Sequence, residues 1–233
     1  MIVVALMSLI QGFSLADRWG SPPGHYESPD GNWSLLCDDL TGFQRPNLTL
    51  RHKEGENWVT CWSAQSPQSR SPYQVFFSRG GTVALVDEWA RLGEGVSVAI
   101  LSRTGKCLSA LTLDQVWPNW EQHFGIELSD SISSVWWHQR GTFGFLSNSH
   151  VFAFQSPLGY VFGIDTTSGR ILKVTTRLRH SIHQYVLEQA LKDLKSSDQD
   201  KRCLASWLLG GCSDLSVVPT LVSLGNVPNL VGG

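Results

Sequence analysis

The sequence predicts a mainly β chain with a C-terminal α segment. Two observations predict the β part: glycine-bearing turns recur between short apolar runs, and those runs are rich in β-branched and aromatic residues. A third predicts the α part: near residue 177 the apolar spacing changes to that of a helix.

The centre is residues 76–113, read as strand, turn, strand, loop, strand, turn, strand. Ser78-Arg79-Gly80-Gly81 and Arg103-Thr104-Gly105-Lys106 each sit between apolar runs, and glycine supplies the positive φ that a tight hairpin loop demands. Val75, Phe76 and Phe77 lead into the first turn, and Val83, Leu85 and Val86 leave it. Val98, Ile100 and Leu101 precede the second turn; Leu108, Leu111 and Leu113 follow it. This pattern predicts an antiparallel meander.

Upstream, Ser28-Pro29-Asp30-Gly31 is a turn before a strand at 32–37. Strands at 48–52 and 58–62 flank a turn at Lys53-Glu54-Gly55-Glu56, and their alternation predicts one solvated face. Residues 63–72 are a Ser/Gln/Pro loop, and 113–117 begin a helical turn stopped by Pro118. Strands are expected near 134–138, 142–147, 150–155 and 159–164, with a last one at 170–175. From 179 to 195, Ile182, Val186, Leu187, Ala190, Leu191 and Leu194 share one helical face. A second helix is expected over about 200–209, with Asp198 or Asp200 as its N-cap, and a third from about 213 to 224.

Two weak internal echoes stand out. FFSRGGTVALV (76–86) resembles FLSNSHVFAF (145–154), and VAILSRTGKCL (98–108) resembles FGIDTTSGRIL (162–172). The echo is similar to the blade grammar of β-propellers, in which each four-stranded unit ends in such a turn. Propellers close with four to eight blades. This length implies two to three blade-like units, hence an incomplete, propeller-like stack; a β-sandwich is the alternative. Asp198, Arg202, Ala205, Leu209, Gly210, Asp214, Val218, Pro219, Leu221 and Leu224 resemble a HEAT-like repeat. That resemblance implies a helical solenoid element and no chemistry. Together the two features resemble uncharacterised secreted bacterial proteins that join a propeller-like β-segment to HEAT-like helices. The implied organisation is a signal peptide over 1–16, a leader over 17–27, the β domain over 28–176 and the helical region over 177–233.

Export is read from the apolar run at 1–10 and from Ser14-Leu15-Ala16, after which cleavage is expected. No Lys or Arg precedes that run, and it is too short to span a bilayer. A secreted, periplasmic or envelope location is expected, with no membrane span once the signal is removed. Of the 233 residues only 16% are charged, below the ~25% usual for soluble domains, and the net charge is −2. Without a basic block, nucleic acid is not an expected partner. Among the five cysteines, Cys37 and Cys61 are the best-placed disulfide pair, with buried free thiols as the alternative.

No GxSxG, HExxH, GxxxxGK[ST] or GxGxxG motif occurs, and neither a metal nor a cofactor is expected. Asp87-Glu88 ends the strongest strand, and the favoured role is structural, with Asp87 capping a turn. The alternative is a hydrolase-like centre of Asp87, Glu88 and Asp114, which requires two carboxylates converging on one cleft about 5–9.5 Å apart for glycosidic chemistry. His180 and His183 share the start of a helix and read as its solvated edge, and His138 reads as a packed core residue. Ten tryptophans are many for this length. Trp89, Trp117, Trp120, Trp136 and Trp137 cluster around the echoed units, and either pack the core or line a face that binds a protein or glycan. The expected function is a non-catalytic interaction module.

Overall fold

The computed structural model describes residues 22, 24–38, 44–123, 129–130, 134–138, 141–147 and 150–210. The chain is mainly β, in three antiparallel sheets of consecutive strands followed by helices. The first sheet is β1 (His25–Glu27), β2 (Trp33–Cys37), β3 (Asn47–Glu54) and β4 (Asn57–Gln65). The second is β5 (Pro72–Phe77), β6 (Val83–Glu88), β7 (Val98–Leu101) and β8 (Cys107–Leu111). A short helix α1 (Leu113–Val116) and a two-stranded ribbon of β9 (Ser129–Asp130) and β10 (Val135–Trp136) follow. The third sheet is β11 (Thr142–Phe145), β12 (Val151–Gln155) and β13 (Val161–Asp165). Helices α2 (Thr176–Asp193) and α3 (Gln199–Gly210) complete the described chain. The sheets close into neither a barrel nor a propeller among the described residues.

Alternation along β6 and β7 stacks the sheets. Successive side chains point to opposite faces. Val83, Leu85, Ala99 and Leu101 therefore meet Trp33, Leu35, Leu48, Leu50 and Trp62 of the first sheet. Ala84, Val86, Val98 and Ile100 meet Phe143, Phe152, Phe154, Phe162 and Ile164 of the third. Every residue of β6 and β7 is buried, as a strand covered on both faces requires. The outward face of the first sheet is polar instead. Thr49 and Ser63 hydroxyls pair at 2.8 Å, and Arg51 donates to Ser34 Oγ at 3.1 Å.

Two turn glycines sit under tryptophans of the neighbouring sheet. Gly81 and Gly105 both have φ of 81°. A Cβ on Gly81 would stand 2.5 Å from Trp33 Cη2, and one on Gly105 would stand 2.9 Å from Trp62 Cδ2. Both positions thus require glycine for conformation and for the close approach of an indole ring.

Helix α2 starts where Thr175 Oγ1 accepts the Leu178 N–H at 3.2 Å. It begins three residues before the expected 179. The single apolar face expected of it is divided between two neighbours. Ile182 and Val186 pack on Leu146, Ala153 and Val161 of the third sheet and its loops, whereas Leu187, Ala190 and Leu194 pack on Ala205 and Leu209 of α3. Asp198 caps α3, its carboxylate accepting the Lys201 N–H at 3.4 Å.

Four expectations change. Residues 170–175 form only the bridge Ile164–Ile171, because the chain leaves the sheet edge to enter the α2 cap. The 134–138 strand shortens to β10, since Trp137 and His138 turn away into the core. Residues 25–27, placed in the leader, pair with β2. Cys37 and Cys61 are not joined to each other. β3 lies between their strands, and Cys37 stands in register with Leu48 and Ala64, three residues from Cys61, so the two are more than two strand spacings (about 9.6 Å) apart, which a disulfide cannot bridge. Cys37 faces inward beside Ser71 Oγ at 3.2 Å, and Cys61 is exposed. The signal and cleavage site at 1–16, Cys212 and the third helix at 213–224 lie outside the described residues.

Replacing Gly81 with Ala adds a ring clash to the cost of positive φ and is expected to lower stability by about 3 kcal/mol. Gly31→Ala, at φ 70° with nothing within 4 Å of the added Cβ, is expected to cost about 1 kcal/mol. Urea denaturation midpoints of the two variants test the difference.

Candidate functional site

The most concentrated polar cluster in the core lies where β6 ends. Asp87, the penultimate residue of that strand, has φ 54°, a left-handed conformation that Asp tolerates better than most residues. The turn aims its carboxylate into the core, where it is fully buried. Asp87 Oδ1 accepts the Gly93 N–H at 2.9 Å, and Oδ2 accepts the Trp137 indole N–H at 2.7 Å. His138 Nε2 stands 2.9 Å from the same Oδ2, but off the line of a hydrogen bond. The Tyr73 ring packs 5.7 Å from His138 and 5.8 Å from Trp89, centroid to centroid. Burial, and then the Asp87 carboxylate, push the Tyr73 hydroxyl pKa above its usual value.

Glu88 has separate partners. It accepts the backbone N–H groups of Ser69 at 3.0 Å and Val96 at 3.3 Å, and the Ser69 hydroxyl as well. Gln68 completes the node: its side-chain amide donates to the carbonyls of Asp87 and Val96, each at 3.0 Å. One acidic dipeptide thus fixes loops 66–71 and 91–97, and through Asp87 the segment 134–138.

Asp114, the third carboxylate of the acidic alternative, is exposed on α1 and accepts the Trp120 indole N–H at 2.7 Å. It shares no partner with Asp87 or Glu88. Both of those are closed off from solvent, 0% and 1% exposed, so the three carboxylates do not meet in one cleft.

The five tryptophans also separate. Trp117 and Trp137 belong to the core between the second and third sheets and present no surface. Trp117 stacks on Tyr160 at 4.3 Å with the rings 3° apart, and the Tyr160 hydroxyl donates to the Val116 carbonyl at 2.5 Å. Trp89 and Trp120 are half-buried against Tyr73 and Asp114. The backbone of Trp136 lies in β10. With Trp117 and Trp137 buried, the five do not form one aromatic face.

Two open grooves flank α2. One, of about 390 Å³, runs between α2 and the β11–β12 loop and is lined by Leu146, Val151, Arg177, Ser181, Tyr185 and Glu188, among others. The other, of about 340 Å³, is lined by Gln155, Gly159, Val161, Thr176, Arg179, His180 and His183. His180 and His183, read from the sequence as a solvated helix edge, therefore form a groove wall. Their spacing held the signal, but the opposing wall comes from the distant β12–β13 turn. Among the described residues no group of three or more His, Cys, Asp or Glu could hold a metal ion. No protein-family model matches the chain, and no curated protein matches it.

Asp87→Ala would leave the Trp137 indole and the Gly93 N–H without an acceptor inside the core, and a loss of about 3–5 kcal/mol is expected. Asp87→Asn keeps an acceptor and tolerates positive φ, so it is expected to lose less. Denaturant unfolding followed by tryptophan fluorescence compares the two.

Burial raises the Tyr160 pKa to about 12, above the ordinary value of 10.0. The unfolded chain therefore ionises this tyrosine first, and stability that is intact below pH ~10 falls as pH rises toward 12. Tyr160→Phe is expected to reduce the alkaline loss of stability between those limits, measured as unfolding midpoint against pH.

Proposed function

We propose that this chain is a non-catalytic, secreted or envelope-associated interaction module. In this reading the three sheets correspond to blade-like units of a propeller-like stack. The α2–α3 pair is then a HEAT-like element packed against its end. The echoed segments support the blade reading, because each pair falls on a matching hairpin. Residues 76–86 join β5 to β6 as 145–154 join β11 to β12, and the turns after β7 and β13 both lead to an outer segment. Arg202 donates to the Ser196 carbonyl at 2.8 Å across the α2–α3 connection, and Ala205 is buried where the helices approach. Those are the structural roles that the repeat resemblance implies for an arginine and a small residue.

The observation that carries the interaction reading is the pair of open grooves beside α2. The buried carboxylates are occupied in holding loops, whereas these grooves combine apolar floors with polar rims open to solvent. A protein or glycan segment laid along α2 fits such a surface. Export is proposed from the sequence, with Asp17 as the first mature residue.

Photocrosslinking residues placed at Ser181 and His180, one in each groove, test the reading in the full chain, with exposed Thr60 of β4 as control. Crosslinks to an envelope component from a groove position and none from Thr60 are expected, together with N-terminal sequencing of the exported chain that starts at Asp17. Hydrolysis of a glycoside, ester or peptide by the purified chain that disappears in folded Asp87→Asn would make it an enzyme instead.

A further inference from the structure

Residues 166–187 contain Arg170, Lys173, Arg177 and Arg179 and no Asp or Glu. The whole chain has 18 Lys and Arg against 20 Asp and Glu, so the remainder carries 14 cations against 20 carboxylates. This segment thus carries four uncompensated positive charges in a chain whose net charge is −2. All four side chains are exposed, and among the described residues none is in a salt bridge.

The fold lays this segment along the edge of the third sheet. Ile171 bridges Ile164 of β13, and the Leu172 N–H reaches the Gly163 carbonyl at 2.8 Å. The chain then runs back toward Val161, where Thr176 enters the 340 Å³ groove and Arg179 Nη1 donates to the Gly159 carbonyl at 2.9 Å. Val161 and Ile164 are three residues apart, so the two ends of this edge are about 10 Å apart along the strand. The sheet's exposed aliphatic residues lie at the same two ends. Leu158, 63% exposed, precedes Gly159, and Ile171, 41% exposed, lies between Arg170 and Lys173. They are two of the three large hydrophobics exposed among the described residues.

We propose that this edge, Leu158 with residues 170–180, docks on an anionic lipid bilayer. Cations beside an anionic surface attract it, and flanking aliphatic side chains enter the headgroup boundary. The acidic remainder is repelled from the same surface, which fixes one orientation. A hydrated soluble polyanion would satisfy the cations but leave Leu158 and Ile171 in water. Attachment through this edge is peripheral and salt-sensitive, and among the described residues no helix is long and apolar enough to cross a membrane. The proposal goes beyond the interaction reading: it depends on neither export nor a protein occupying the grooves.

Co-sedimentation of the full chain with vesicles tests it. Binding to phosphatidylcholine–phosphatidylglycerol vesicles, none to phosphatidylcholine alone, and release by rising salt are expected. Arg170→Gln and Lys173→Gln are each expected to weaken partitioning roughly fivefold. Leu158→Ser with Ile171→Ser should weaken it further while the circular dichroism spectrum stays unchanged. No binding, equal binding to neutral vesicles, or full binding by the glutamine variants overturns the proposal. So does binding to dextran sulfate as tight as to the anionic vesicles and indifferent to the serine pair, which would identify a soluble polyanion as the ligand.

Discussion

The central strands of the second sheet, β6 and β7, have no solvent face, and the rest of the architecture follows from that constraint. Residues 83–86 and 98–101 carry only aliphatic side chains because each points at a neighbouring sheet. Burying one such side chain contributes about 1.5–3 kcal/mol, an upper estimate for a chain that is partly compact when unfolded. Size matters as much as polarity here. Ala84 and Ala99 stand in layers that contain Phe152, Phe154, Trp33 and Trp62, and larger residues there would push the sheets apart. The tryptophans reach past the strands to the turn glycines of the next sheet, so the stacking fixes turns as well as strands.

Ending such a strand in Asp-Glu creates a problem that the loops resolve. Two carboxylates at the rim of a closed stack are costly unless they are hydrogen-bonded. Ser69, Gly93, Val96 and Trp137 supply the donors, from three segments with little regular structure of their own. The carboxylates therefore position the loops, and the loops shield the carboxylates. This reciprocity is why the acidic pair looks like a site in sequence and behaves as a fastener in the structure. The imidazole beside it belongs to the same packed group, between Tyr73, Trp137 and Phe143.

The strands and their turns were legible because their signals are local. Gly81 and Gly105 announce positive φ, and the unbroken apolar run at 83–86 announces burial on both faces. What covers those faces was not legible. Nothing near Gly81 names Trp33, and nothing near Asp87 names Trp137, which lies 50 residues later. The α2 stripe shows the same limit. Its residues were readable from spacing, yet spacing does not reveal that Ile182 meets a sheet and Leu187 meets a helix. The missing disulfide has a similar origin: Cys37 and Cys61 were both placed in strands, but only the strand order puts β3 between them. The basic edge is not a local signal, because no run of adjacent Lys or Arg occurs in 170–179. Interspersed Leu172, Val174 and Leu178 hide it until the fold partly buries them and leaves the cations exposed beside Ile171.

The two ends of the stack are finished differently, and that asymmetry decides where a partner can reach. The first sheet ends the stack with hydroxyls and Arg51, a surface already compatible with water. The third sheet still has an apolar outer face, with Leu146, Ala153 and Val161, and α2 covers it. A helix covering a sheet needs cover of its own only where its second face is apolar, and in α2 that begins at Leu187, where α3 packs. The first three turns of α2 have no such requirement. Thr176, Arg177, His180 and Gln184 face outward there, and the helix, narrower than the sheet beneath, leaves a groove on each side. Exposed Arg177 and Arg179 and both grooves thus share one cause: α2 continues toward its N-terminus beyond the part that α3 covers.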